Sequence, residues 1–225
     1  MERILIVGAG TMGAGIAFVA ARAGFAVDLV DPDKTVRERA SIPASAAAVV
    51  KFHDAIPTAS EAVLAIEAVP ERLELKREVF RALESAVGPQ TPIATNTSSL
   101  SVGSIAQALQ RPERAVGMHF FNPPAAMRLV EVVRGEQTAD ETVDRALEFA
   151  RQFDKDAVVT ADSPGFIVNR VARPFFLQSL RALAAGAAPI EDLDRLARGI
   201  GFRMGPFELM DLIGLDINLA TSESI

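Results

Sequence analysis

The stretch Arg3-Ile4-Leu5-Ile6-Val7-Gly8-Ala9-Gly10-Thr11-Met12-Gly13 decides the fold of this chain. It opens with a short apolar run that is typical of a buried strand, and its glycines lead directly into a helical pattern over residues 11–23. Gly8 permits a tight turn, Gly10 lets the backbone approach a pyrophosphate, and Gly13 lets the helix pack closely against the strand. The pattern predicts a strand, a glycine turn and a helix whose N-terminus can hold phosphate groups.

A second apolar run follows this helix and ends in an acid. Residues 26–30 predict the next strand, and Asp31 comes directly after it. Its distance from Gly8 is close to that of the acid which bonds a ribose 2′-hydroxyl in dinucleotide-binding turns. Because a 2′-phosphate beside Asp31 would meet like charge, we expect the domain to bind NAD rather than NADP. A glycine-rich turn in another kind of α/β domain is the alternative.

Composition narrows the class of protein. The chain has 225 residues, 49% of them hydrophobic, which suits one large domain or two modest ones. It has no cysteine, which excludes disulfides, thiolate zinc sites and a cysteine nucleophile and fits the cytoplasm. We predict no metal. The net charge of −6 and the absence of a Lys/Arg cluster argue against nucleic acid and membranes as partners. No signal peptide or membrane span is expected.

Apolar periodicity divides the chain near residue 163. Strands are predicted at residues 64–69, 92–95, 115–121, 129–133 and 157–160, and helices at residues 34–40, 71–87, 104–109 and 142–153. After Asp162-Ser163-Pro164-Gly165 the pattern is helical only, at residues 166–185, 190–198 and 204–219. The prediction is an α/β fold, with a Rossmann-type dinucleotide-binding domain at residues 1–162 and a smaller all-α domain at residues 163–225.

The candidate catalytic pair is His119 and Glu131. The chain has no tyrosine and 2 histidines, so an imidazole catalyst is either His53 or His119. His119 lies near the end of a predicted strand, and Glu131 is a charge within an apolar run and needs a partner. A hairpin centred on Ala125 would place the two opposite each other, which gives a general base with a fixed tautomer. A core histidine beside an edge-strand glutamate is the alternative.

Other polar residues have two interpretations each. Ser98 follows a predicted strand and could contact a ligand, although on this pattern alone a helix cap is preferred. Asn169, at a helix start, could be a ligand contact or an ordinary polar position. Glu71 and Lys76 lie in the first turns of a helix that follows a strand, where a solvated helix face is the usual interpretation. His53 is interpreted as a surface residue.

Taken together, these motifs resemble the L-3-hydroxyacyl-CoA dehydrogenases over nearly the whole chain. The motifs are the glycine turn with Thr11-Met12-Gly13, Glu71 with Lys76, Asn96-Thr97-Ser98-Ser99, residues 117–123, 129–132 and 165–170, and Met204-Gly205-Pro206-Phe207-Glu208-Leu209. The resemblance implies a Rossmann domain, NAD as cofactor and an acyl-CoA as substrate. It implies NAD-dependent oxidation of a 3-hydroxyacyl-CoA, as in β-oxidation or short-chain acyl-CoA metabolism.

The resemblance also implies a role for each site residue. His119 would take the proton of the 3-hydroxyl group or return it in reduction, and Glu131 would orient and support His119. Ser98 and Asn169 would hold the substrate oxygen, with Ser98 also near the nicotinamide. The cofactor-binding residues would be Gly8, Gly10, Thr11, Met12, Gly13, Asp31, Glu71, Lys76, Ser98 and Asn122.

Two departures from the family pattern concern the substrate and the assembly. The segment between Asp31 and Glu67 is shorter than the family's, which has a long helical hairpin there that contacts CoA; only residues 34–48 could be its remnant. The family also continues past the position of Ile225 with helices used in dimerisation. Two alternatives therefore stay open: a dehydrogenase of a free hydroxy acid of the gulonate or carnitine type, and a non-catalytic NAD-binding protein.

The helical residues after Gly165 are rich in Phe, Leu, Ile and Ala. A helical domain of this size cannot bury that much apolar surface on itself. We therefore expect a homodimer joined through these residues, since a twofold contact is the commonest solution in homo-oligomers. The active site is expected in the cleft between the two domains.

Overall fold

The computed structural model of the chain describes residues 1–223. They form two compact units, Met1–Ser163 and the described residues from Pro164 onward. The first contains strands and helices, and in the described part of the second the regular elements are helices. This confirms the predicted fold class of an α/β domain followed by a helical region.

An 8-stranded sheet forms the centre of the first unit. Its strands are β1 Arg3–Val7, β2 Ala26–Val30, β3 Val50–His53, β4 Ala62–Glu67, β5 Ile93–Thr95, β6 Ala115–Phe120, β7 Leu129–Arg134 and β8 Asp156–Ala161. Their order across the sheet is β3-β2-β1-β4-β5-β6-β7-β8. β6 and β7 pair antiparallel, and the other neighbours pair parallel.

Helices cover both faces of this sheet. They are α1 Thr11–Arg22, α2 Lys34–Arg39, α3 Ala44–Ala47, α4 Leu73–Ala86, α5 Val102–Ala106 and α6 Asp140–Gln152. Ile4 and Ile6 of β1 point to the core formed with α1 and α6, and Leu5 and Val7 to the core formed with α4 and α5. All of β1 from Ile4 onward is buried, which explains why a parallel strand is a continuous apolar run rather than an alternating one.

The segment after α2 differs from the prediction. The sequence predicts no regular element between residues 40 and 64, but the chain forms α3 and then β3, which pairs with β2. His53 ends β3 and is half-buried rather than a plain surface residue, because it has a partner. Its Nε2 lies 2.9 Å from Oδ1 of the buried Asp28, which also accepts a hydrogen bond from Arg3 at 2.9 Å.

The second unit contains α7 Val168–Ala184, α8 Ile190–Gly199, α9 Pro206–Ile213 and α10 Leu215–Glu223. The apolar stretch at residues 204–219 thus contains two helices, because Gly214, at φ 101°, separates α9 from α10. Asp194 of α8 accepts the backbone N–H groups of Phe207 and Glu208 at 2.9 and 3.2 Å, which fixes the start of α9. Among the described residues, none of the helices meets the length and hydropathy that a membrane crossing requires.

Candidate active site

The glycine turn between β1 and α1 is built without room for side chains at two of its positions. Gly8 has a φ of +103°, and a Cβ there would lie 2.5 Å from the carbonyl oxygen of Ala68. A Cβ at Gly13 would lie 1.8 Å from the carbonyl oxygen of Gly8, so helix and strand touch at this point. A Cβ at Gly10 would instead have no heavy atom of the described residues, its chain neighbours aside, within 4 Å. The turn is closed towards the protein and open at Gly10.

The N-terminus of α1 is suited to an anion. None of the described side chains caps it, so the backbone N–H groups of Thr11 and Met12 are the donors that a phosphate can use. Asp31, after β2, accepts the backbone N–H of Ala9 at 2.9 Å and that of Asp33 at 2.9 Å. The carboxylate therefore sits beside the glycine turn, at the carboxyl ends of the strands, where nucleotides bind in open α/β sheets.

His119 and Glu131 face each other across the β6–β7 hairpin. The antiparallel register pairs the two residues, as the spacing predicts. His119 Nδ1 lies 2.7 Å from Glu131 Oε2, and both side chains are buried. The ring of Phe121 packs against the imidazole with 4.5 Å between centroids. With the carboxylate on Nδ1, the ring is held in one orientation, with its other nitrogen, Nε2, on the side of the ring away from Glu131.

Ser98 lies in a loop organised by Glu71. Glu71 Oε1 accepts the backbone N–H groups of Ser98 and Ser99 at 3.0 Å each, and the Ser99 hydroxyl at 3.0 Å. The preferred interpretation of Ser98 as a helix cap is wrong, because Ser101 caps α5: its Oγ accepts the Ser104 N–H at 3.1 Å. The backbone of Ser98 is thus fixed by a carboxylate from the loop before α4.

Lys76 is buried rather than on a solvated helix face. Its side chain is 1% exposed, and its Nζ lies 2.8 and 3.0 Å from the two carboxylate oxygens of Glu67. The ammonium also lies 3.2 Å from Glu71 Oε2 and 3.2 Å from the carbonyl oxygen of Val69. The structure brings Glu71, Lys76 and Ser98 together, and it adds Glu67, which the sequence interpretation overlooked.

The two carboxyl groups of this network differ in pKa. Burial raises the pKa of Glu67 above its ordinary value, and the Lys76 ammonium together with hydrogen bonds from Thr95 and Val69 opposes that rise. Burial also raises the pKa of Glu71. The Lys76 ammonium and the hydroxyl groups of Thr97 and Ser99 outweigh burial, so the pKa of Glu71 lies below its ordinary value. Glu71 is therefore an ionised acceptor at neutral pH.

Asn122 lies in the loop between β6 and β7. The buried Lys155 binds the backbone of that loop. Lys155 Nζ donates to the carbonyl oxygens of Pro124 and Met127 at 2.6 and 2.9 Å. Burial lowers the pKa of Lys155, and the nearby positive charge of Arg22 lowers it further. No sequence pattern indicates this contact, because Lys155 follows the end of a helix as a solvated lysine would.

A cavity of about 510 Å³ lies within the first unit, between the start of α1, the end of α2 and the loop that begins at Asn122. Gly10 and Thr11 line it on one side and Pro124 on another, and Arg39 places a positive charge in its wall. The cavity therefore borders the open side of the glycine turn. Most of its lining is apolar, which suits an extended organic ligand better than a free ion.

Asn169 belongs to the second unit, in the first turn of α7. Its position at a helix start is as predicted, and its role stays a prediction. The roles of the other site residues likewise stay predictions.

Comparison with known proteins identifies relatives for both units. The model of the family described as "3-hydroxyacyl-CoA dehydrogenase, NAD binding domain" matches residues 3–45 and 37–163. The one described as "3-hydroxyacyl-CoA dehydrogenase, C-terminal domain" matches residues 165–225. The two N-terminal matches overlap at residues 37–45, within the segment that is shorter than the family pattern.

Individual relatives agree with these matches. The chain is 41% identical to 3-hydroxyadipyl-CoA dehydrogenase of Escherichia coli K12 over 246 residues, covering 100% of this chain and 52% of that protein. It is 36% identical to the human mitochondrial hydroxyacyl-coenzyme A dehydrogenase, covering 96% of this chain and 77% of that protein. A crystal structure of 3-hydroxybutyryl-CoA dehydrogenase from Escherichia coli K12 matches with a TM-score of 0.93 and 40% identity, over 99% of this chain and 52% of that one. The chain thus spans about half the length of the bacterial relative.

Proposed function

The chain belongs to the 3-hydroxyacyl-CoA dehydrogenase family, and from this premise we propose that it catalyses the reversible NAD-dependent oxidation of an L-3-hydroxyacyl-CoA to the 3-oxoacyl-CoA. The observation that carries the proposal is the buried His119–Glu131 pair, whose atoms lie 2.7 Å apart at the end of a central strand. Oxidising a secondary alcohol needs one base, one hydride acceptor and a pocket for the oxygen, and the chain supplies the first.

The residues of the glycine turn fit the cofactor. The open position at Gly10, the uncapped start of α1 and the Asp31 carboxylate match a pyrophosphate followed by a ribose with a free 2′-hydroxyl. NAD, when bound, supplies the hydride acceptor. Asn122 and the loop of Ser98 are the further residues that we assign to holding it.

In the oxidation, the proton of the substrate's 3-hydroxyl group passes to Nε2 of His119 while the hydride leaves C3. Glu131, on the opposite side of the ring, stabilises the imidazolium that forms. Ser98 and Asn169 hold the substrate oxygen as it becomes a carbonyl. In the reduction, His119 returns the proton to the same oxygen.

The acyl carrier is the less constrained part of the proposal. CoA is supported by the apolar cavity beside the glycine turn and by Arg39 in its wall, which can attract a phosphate. A free hydroxy acid is favoured by a different observation: between β2 and β4 the chain forms only α2, the short α3 and β3, so little protein is present to cover a large carrier.

One experiment separates the CoA dehydrogenase from the two alternative functions. The protein is assayed with acetoacetyl-CoA, whose reduction consumes NADH, and with free hydroxy acids, whose oxidation by NAD forms NADH. Turnover of the thioester supports the proposed function, and turnover of the free acids alone replaces it with the second candidate. If NADH binds and neither substrate class is turned over, the protein is a non-catalytic NAD-binding protein.

We further propose a homodimer that works in fatty acid metabolism in the cytoplasm. The dimer is supported by the apolar side chains that the second unit exposes, among them Val171, Ile200 and Leu212, each more than two-thirds accessible. The cytoplasm is supported by the absence of cysteine from the chain. Cell fractionation with an antibody to the protein tests the compartment.

A further inference from the structure

Glu67 is a fully buried acid that no step of the proposed reaction uses. It is the last residue of β4 and is 0% exposed. Its Oε1 accepts the backbone N–H of Val69 at 2.6 Å, and its Oε2 accepts the hydroxyl of Thr95 at 2.7 Å. Together with the Lys76 ammonium, these donors satisfy a charge that would otherwise be costly to bury.

Lys76 links Glu67 to a second carboxylate, that of Glu71, which lies nearer the proposed reaction site. An ammonium has three N–H donors, and those of Lys76 are used by Glu67, Glu71 and the carbonyl oxygen of Val69. The lysine connects one buried carboxylate to a second one, and the second one binds the loop of Ser98.

Glu71 is the end of this chain of contacts. Its Oε2 faces Lys76, while its Oε1 accepts hydrogen bonds from Ser98, Ser99 and Thr97. Thr95, which binds Glu67, also accepts the backbone N–H of Thr97 at 3.2 Å. Glu67 thus reaches the same loop by two routes, one through Lys76 and Glu71 and one through Thr95.

We propose that Glu67 is a positioning residue of the dehydrogenase: through Lys76 and Glu71 it fixes the backbone that presents Ser98 to the substrate oxygen. This rests on the proposed function, in which Ser98 holds that oxygen. Lys76 then supports the cofactor end of the site by ordering this loop.

Glu67→Gln keeps the shape of the side chain and removes the charge that holds Lys76. We expect kcat for acetoacetyl-CoA reduction to fall by about 10–100-fold, by analogy with the loss seen when the hydrogen-bond partner that orients a metal-binding side chain is removed. The dissociation constant of NADH should change much less, since the glycine turn and Asp31 are untouched. Amide hydrogen exchange in the peptide that contains residues 96–101 should become faster.

Glu84→Gln is the matched control. Glu84 also forms an ion pair with a buried partner in the first unit, Arg114 at 3.2 Å, and also accepts backbone N–H groups, from Gln110 and Arg111. This variant should lose stability while keeping wild-type kcat and wild-type exchange at residues 96–101. Equal effects of the two variants on kcat would overturn the proposal.

A double-mutant cycle tests the route. If Glu67 acts through Lys76, Glu67→Gln should cost little further activity in a Lys76→Met background. Additive losses would overturn the route. If Glu67→Gln fails to fold, Thr95→Val, which removes one hydroxyl donor and keeps the side-chain volume, takes its place in the same measurements.

The outcomes also separate this inference from the proposed function. If the wild-type protein turns over no acetoacetyl-CoA, the proposed function fails, and hydrogen exchange still decides whether Glu67 orders the loop. If the wild type is active and Glu67→Gln leaves both kcat and exchange unchanged, the proposed function stands and the role of Glu67 is refuted.

Discussion

At the scale of single residues, the site depends on carboxylates that are kept out of water. Glu131 is 1% exposed, so its charge must be met inside the protein, and the imidazole of His119 meets it. The same contact fixes which ring nitrogen faces the carboxylate. A change at either residue leaves the other without this buried contact, so it should lower the stability of the fold as well as the proposed activity.

His119→Gln should abolish turnover and leave NADH binding nearly intact. Glutamine fills similar space but cannot accept and return a proton, and loss of a general base costs about 10²–10⁴-fold in rate. Steady-state kinetics with acetoacetyl-CoA and a fluorescence titration with NADH measure the two effects; with no tryptophan or tyrosine in the chain, the NADH signal is not obscured. A variant with near-normal kcat would remove His119 from the mechanism.

Glu131→Gln should lower kcat for the oxidation. The imidazolium that forms on His119 loses its negative partner, and the ring loses the carboxylate that orients it. Steady-state kinetics of the oxidation, recorded beside those of the wild type, measure the loss. An unchanged kcat would show that Glu131 does not act through His119.

NAD should be preferred to NADP because Asp31 stands beside the glycine turn. In Asp31→Ala the preference for NAD over NADP should narrow. Arg37 donates to the backbone carbonyl of residue 31, so its positive charge stays near the position of a 2′-phosphate. The ratio of kcat/KM for the two cofactors measures this preference. Equal values for the wild type would contradict the role of Asp31.

The sequence predicts some site residues better than others for a physical reason. The pairing of His119 with Glu131 follows from the two-residue period of strands and from a charge inside an apolar run. Glu67 interrupts an apolar run in the same way and could have been recognised by the same signal. The burial of Lys76 could not, because its partners come from a strand end and a loop that only the tertiary fold brings to that helix.

At the scale of elements, the predicted boundaries of β1, α1 and β2 are confirmed to within a residue or so. These elements carry their own signals, an apolar run and flanking glycines. β3 and α3 carry none, since each is short and owes its conformation to pairing with β2 and to packing on α1. The boundaries of an element are thus predictable where its own residues, rather than its neighbours in the fold, determine its conformation.

Gly13→Ala should separate α1 from β1. The added Cβ would meet the carbonyl oxygen of Gly8 at 1.8 Å, and overpacking of this kind costs about 1–3 kcal/mol of unfolding free energy. Urea denaturation measures it. Gly10→Ala is the matched control: its Cβ points into open space, so stability should hold while NADH binding weakens. Equal loss of stability in both variants would contradict the close contact at Gly13.

At the scale of the whole molecule, we expect sedimentation at micromolar concentration to give a dimer. Ile200→Glu, at a side chain that is 73% exposed in the second unit, should shift it to monomer, since a twofold contact would bring the introduced charge to an apolar interface. Val158→Glu, at an exposed position of β8, should leave the assembly unchanged. A wild-type monomer with full activity would refute the dimer.

The strand order has a consequence for how the protein is made. Read in the order in which a ribosome would release them, each strand joins an existing edge of the sheet: β2 beside β1, β3 beside β2, β4 on the free side of β1, and then β5 to β8 in turn. No strand has to open a pair that has already formed, so the sheet can grow during translation, N-terminal part first. The nucleotide-binding turn would be complete when β4 and Ala68 emerge, whereas His119 waits for Glu131 until β7 has left the ribosome.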